Sequence, residues 1–177
     1  KLNYRDLPHI IDTARDMKLD QISFLGADVS SDAFNRTTPW DEDHVQAIAL
    51  DRDDVTEFRS TVERVIVERA EAFSSRFIAE SPEKLMRIVD YYAALNGDDD
   101  FPKVICNAPW VSTVVEADGT VRPCFFHKPL GNIHNGPLDA ILNSDDAIQF
   151  RKHLDVSKDP TCRRCVCSLN LNPKVRV

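Results

Sequence analysis

No cysteine occurs in the first 105 residues of this 177-residue chain; all five lie between Cys106 and Cys167. Long apolar runs are missing too. None reaches the roughly 18 residues that a membrane-spanning helix needs, and no signal peptide is visible. Basic charge is in deficit: 22 Lys and Arg against 29 Asp and Glu leave a net charge of −7. That balance excludes the basic stripe of a nucleic-acid-binding domain. A glycine-rich phosphate loop is absent, since Gly26 stands alone, and no Ser/His/Asp or Cys/His arrangement has a recognisable setting. An odd number of cysteines packed into one segment does not resemble a secreted disulfide framework, and a reducing cytoplasm fits better.

The 42% hydrophobic share is ordinary for a globular chain, so a core can form without help from a metal. Residues 5–19 carry Leu7, Ile10, Ile11, Ala14 and Met17 at helical spacing, with Pro8 in the first turn. Gln21 to Leu25 then predicts a short buried strand closed by Gly26. Residues 30–50, with Trp40 and His44, are expected to form a long loop. Asp54 with Glu57 fits a capping box opening a helix that runs through Val55, Phe58, Val62, Val65 and Ile66 to Phe73. Arg76 to Ala79 fits a second strand. Ser81-Pro82-Glu83 opens another helix, with Leu85, Ile88, Val89, Tyr92 and Leu95 inward and Asn96-Gly97 as its stop. Helix, strand, helix, strand, helix is α/β order. Two such units alone leave strand edges unpaired, so residues 1–97 are expected to be the closing part of a larger parallel sheet or barrel.

The charge run and proline of residues 98–105 mark a linker, and residues 106–177 a second, α+β domain. Asp118-Gly119, between the alternating runs Trp110–Val115 and Thr120–Pro123, is a hairpin signal. Leu138–Leu142 and Asp145–Leu154 are expected to be short helices, with Ser144 capping the second. A closed hairpin brings Cys106 and Cys124 to one end, and Cys162-x-x-Cys165 is a knuckle in which two thiolates grip one centre. Two such pairs make a four-thiolate site suited to a 4Fe–4S cluster or to tetrahedral zinc. Cys167 is then spare. His127 and His134 lie near the second pair and could replace a cysteine, but four cysteines complete the set without them.

The pattern Cys106-x12-Gly119-x4-Cys124, then Cys-Phe-Phe, Leu130-Gly-Asn-Ile133, Arg151 and Cys162-x-x-Cys165 resembles the C-terminal extension of radical S-adenosylmethionine (SAM) enzymes. More narrowly, it is similar to the twitch form of the SPASM domain. The resemblance implies one auxiliary 4Fe–4S cluster on Cys106, Cys124, Cys162 and Cys165, in a radical SAM oxidoreductase. It also implies that residues 1–97 close a partial (β/α)6 barrel, with Gly26, Ala27 and Asp28 on the SAM side. A peptide or small-molecule substrate and an electron donor such as flavodoxin or ferredoxin would be the partners. The family's Cys-x-x-x-Cys-x-x-Cys motif, which holds the SAM-cleaving cluster, does not occur here. The chain opens at Lys1 without an initiator Met, and the expectation is a fragment of a longer enzyme, inactive alone. Two readings from other classes stay open: a zinc-stabilised interaction module without redox activity, and a peptide-binding scaffold using the Trp110 hairpin edge.

Overall fold

The computed structural model describes residues 1–31, 33 and 38–172. The chain divides into two compact units: residues 1–29 with 40–102, and residues 30–39 with 103–177.

The first unit is mainly helical. A 3-10 turn at Tyr4–Asp6 leads into α1 (Leu7–Asp16), which ends where Lys18 turns left-handed at φ 57°. The expected loop at 30–50 contains a helix, α2 (Glu42–Ile48), capped by the Asp41 carboxylate on the His44 N–H; residues 32 and 34–37 of that stretch lie outside the description. The next helix, α3 (Arg52–Glu68), starts earlier than expected. Its capping box is Asp51 with Asp54, not Asp54 with Glu57. Three acidic residues in Asp51–Asp54 compete for the cap. The one that wins leaves Asp54 buried at 8% exposure, where it accepts the Tyr4 hydroxyl at 2.7 Å. Glu57 instead accepts from Tyr4 and Arg5. The helix breaks at Arg69, whose ψ of 28° starts the short α4 (Ala70–Ser74). As expected, α5 (Pro82–Leu95) follows the Ser81 cap and stops at Asn96-Gly97, with Gly97 at φ 78°. The core lies between these helices: Ile11, Val62, Val65, Leu85 and Val89 are fully buried.

The two strands expected in this unit shrink to one parallel bridge between Ile22 and Ile78. Ile22 donates to the Phe77 carbonyl at 2.7 Å and accepts from Ala79 at 2.9 Å. Beyond it the ladder is replaced by a side chain. Buried Glu80 (4% exposed) accepts the Phe24 N–H and the Ser23 hydroxyl, each at 2.8 Å. Buried backbone donors must find a partner, and here a carboxylate supplies what a neighbouring strand would. Neither a parallel sheet nor a barrel is formed by the described residues.

The second unit holds a three-stranded antiparallel sheet in the order β1 (Val114–Val115), β2 (Thr120–Arg122), β3 (Gly131–Asn132). The expected strand from Trp110 is shorter, because Pro109 opens a helical turn, α6 (Ala108–Val111), that takes in Trp110. Val114 pairs with Arg122 and Val115 with Val121, and Gly119 takes φ 82° in the connecting turn. A Cβ there would lie 2.8 Å from Asn132 Oδ1 and from His134 Cδ2. Pro123 ends the strand, and it is buried with Val121. Two helices arise as expected, α7 (Leu138–Leu142) and α8 (Asp145–His153), the second capped by Ser144. Arg151 reaches back to the Leu142 carbonyl at 2.7 Å, satisfying the end of α7. A final turn of helix, α9 (Pro160–Arg163), was not anticipated. Asp159-Pro160 is its signal, an N-cap carboxylate followed by proline in the first turn.

Candidate metal centre

Each cysteine sits at the end of a short element. Cys106 precedes α6, Cys124 follows β2 and Pro123, Cys162 lies in α9, and Cys165 and Cys167 lie in the turn after it. None of the five cysteines is in a disulfide, and all are half-buried. They also feel one another. Cys124 is pushed up by burial first, then by Cys106 and Cys167. Burial pushes Cys165 to about 12, with Cys167, Cys106 and Cys124 adding to it. Cys162 is driven up by burial and by the Asp159 carboxylate, with further contributions from Cys124 and Cys165. The residues expected as ligands, Cys106, Cys124, Cys162 and Cys165, therefore gather in one region, together with Cys167.

Backbone donors point into this region. The Ala108 N–H lies 3.5 Å from Cys106 Sγ and the Cys167 N–H 3.3 Å from Cys165 Sγ, while the backbone at Phe126 and His127 works against the rise in the Cys124 pKa. Donors of this kind stabilise thiolates and are found around sulfur-ligated clusters. The donor set fits an iron–sulfur cluster. Four thiolates are also a donor set that tetrahedral zinc accepts. Among the described residues, one group of three donor atoms lies mutually within 4.8 Å: His127, Asp159 and Cys162.

Of that trio, the sequence had singled out His127 and Cys162 but not Asp159. His127 Nε2 lies 3.3 Å from Cys162 Sγ and 3.9 Å from Asp159 Oδ1. Asp159 also accepts the Cys162 N–H at 2.9 Å. The imidazole stacks edge-on against Phe150 at 4.9 Å, and burial holds its pKa below the usual histidine value against the pull of Asp159. Its carbonyl accepts from Arg122 at 3.0 Å. Arg122 Nε in turn lies 3.0 Å from Glu116 Oε2, an ion pair whose geometry falls short of a hydrogen bond. His134, the other histidine considered, packs by Gly119 in the hairpin turn.

Gly26, Ala27 and Asp28 lie in the first unit. Gly26 and Ala27 border a cavity of about 410 Å³, lined also by Tyr4, Phe24, Phe58 and Ile88. The Ala27 N–H donates to Tyr92 Oη at 2.9 Å, and burial raises the pKa of that phenol. Asp28 is buried at 8% exposure.

Comparison with known proteins supports this picture in part. Residues 106–166 match the family model of SPASM, an iron–sulfur cluster-binding domain. The C-terminal unit thus carries a SPASM-type domain, and iron–sulfur cluster binding is what such a domain implies. No curated protein and no solved structure matches the chain. No helix among the described residues is long and apolar enough to cross a membrane.

Proposed function

We propose that the chain is part of a radical SAM oxidoreductase, with Cys106, Cys124, Cys162 and Cys165 holding one auxiliary 4Fe–4S cluster. The observation that carries this reading is the meeting of half-buried thiols from two distant segments inside the SPASM-matching stretch. When bound, such a cluster exchanges single electrons with a substrate radical or positions the substrate. The chain's own part is to gather and shield the thiolates. The β1–β2 hairpin carries Cys124 toward the end where Cys106 lies, and the Asp159 cap fixes the turn of α9 that presents Cys162 and Cys165. Val121 and Pro123, which lead into Cys124, are buried.

With cysteine at all four positions, electron transfer is favoured over direct coordination of substrate. The substrate is a peptide or a small molecule, and a flavodoxin or ferredoxin is the electron donor. In the whole enzyme, the first unit belongs to the partial barrel and Gly26, Ala27 and Asp28 face SAM. The compartment is the cytoplasm. Metal and sulfide analysis of anaerobically purified protein tests the reading. About four irons and four sulfides per chain are expected, falling to background in Cys124→Ala. One zinc and no sulfide would overturn it.

A further inference from the structure

Resting on that reading, we propose that His127 sets the reduction potential of the cluster through Cys162. One contact carries this: the His127 imidazole Nε2 lies 3.3 Å from Cys162 Sγ. The residue is held from three sides: Phe150 against the ring, Arg122 on the carbonyl, and Asp159 near Nε2.

The tautomer follows from the neighbours. With Cys162 a thiolate bound to a cluster, both groups close to Nε2, that sulfur and the Asp159 carboxylate, would accept hydrogen bonds, and the proton of the neutral ring is assigned to Nε2 on that ground. Reduction adds one negative charge to a cluster and its sulfurs. A donor on a ligand sulfur stabilises the reduced form more than the oxidised form, so it raises the potential. A carboxylate beside the same sulfur acts in the opposite direction, because it repels the added charge. Cys162 therefore stands between two opposed groups, His127 raising the potential and Asp159 lowering it. The side chain is only 10% exposed, so water does not replace the donor when the ring is removed.

The test is a mediated reductive titration of the reconstituted chain, with iron and sulfide measured on every sample. His127→Phe keeps the bulk against Phe150 and removes the donor. Its midpoint potential should fall by about 59 mV, a tenfold shift of a one-electron equilibrium. His127→Gln, which returns an N–H near Nε2, should recover most of that. Asp159→Asn keeps the helix cap and should move the potential upward. A loaded His127→Phe cluster with the wild-type potential overturns the proposal, as does a fall in Asp159→Asn. Should His127→Phe not load, His127→Gln decides. Loading at the wild-type potential supports the proposal, and loading at a lowered one overturns it. Failure of both folded variants to load, where the wild type loads, makes His127 a residue for holding the cluster rather than for setting its potential and overturns it too. Wild-type protein without iron and sulfide defeats the cluster reading itself, a result distinct from all of these.

Discussion

The first unit buries Leu7, Ile11, Val55, Phe58, Val62, Val65, Leu85 and Val89 along three helices, with Ile78 beneath them. The second unit, of comparable length, buries among its described apolar residues chiefly Ala33, Val104, Ala108, Val121 and Ala147. Its helices are short, and α7 and α9 have no fully buried residue at all. What it has instead is a knot of thiols, backbone donors and one histidine. The contrast teaches that one unit is held by apolar area removed from water, and the other is organised around the groups that would grip a cofactor. Binding free energy at such a site is folding free energy.

The comparison is broken most sharply from the apolar side. Leu85→Ala opens a cavity under α5 and should destabilise the first unit by about 2–5 kcal/mol, seen in urea unfolding. Iron content per chain should stay as in the wild type. Lost iron in a folded Leu85→Ala protein would break the contrast between the two units.

The next effect belongs to the second unit. Gly119→Ala forces a side chain into φ 82° and against Asn132 Oδ1 and His134 Cδ2, each at 2.8 Å. The left-handed backbone alone costs about 1–2 kcal/mol. Because this turn sets the register that positions Cys124, iron loading should drop along with the melting temperature of the second unit. Unchanged loading would show that the hairpin turn is not what brings the first cysteine pair together.

The smallest effect concerns pH in the metal-free protein. Burial holds Cys165 at about 12, above the ordinary thiol value of 9.0. A group whose folded pKa is raised contributes stability that is whole below its unfolded pKa and is lost as pH climbs toward the folded one. Urea unfolding of chelator-stripped chain should therefore weaken between pH 9 and 12, and Cys165→Ser should weaken less. Equal alkaline loss in both would sever the link to this thiol.

Much of the helical framework was legible because its signals are local. Ser81-Pro82-Glu83 and Ser144 cap the helices they were expected to cap, and Asn96-Gly97 ends α5. The errors came where several residues could fill one role. In Asp51–Asp54 the cap went to the residue that allowed Asp54 to meet Tyr4 across the chain, a contact between residues 50 apart. The strands at Ile22 and Ile78 have the right composition, but a strand needs a partner along its length, and Glu80 takes the Phe24 N–H instead. His127 was named beside Cys124 and then set aside, because nothing in its neighbourhood along the chain tells that it meets Cys162, 35 residues on.

By itself the sequence determined the class of chemistry. Thiolate spacing, the Asp118-Gly119 turn and the lack of any earlier cysteine depend on residue type and short separations, which the chain states directly. The tertiary structure alone decided which groups surround those thiols. Asp159 caps the very turn that holds Cys162, a local contact, but His127 reaches that sulfur from 35 residues away and packs its ring on Phe150 of α8. Their meeting depends on how β2, α8 and α9 pack, a matter of three-dimensional fit that no local pattern encodes.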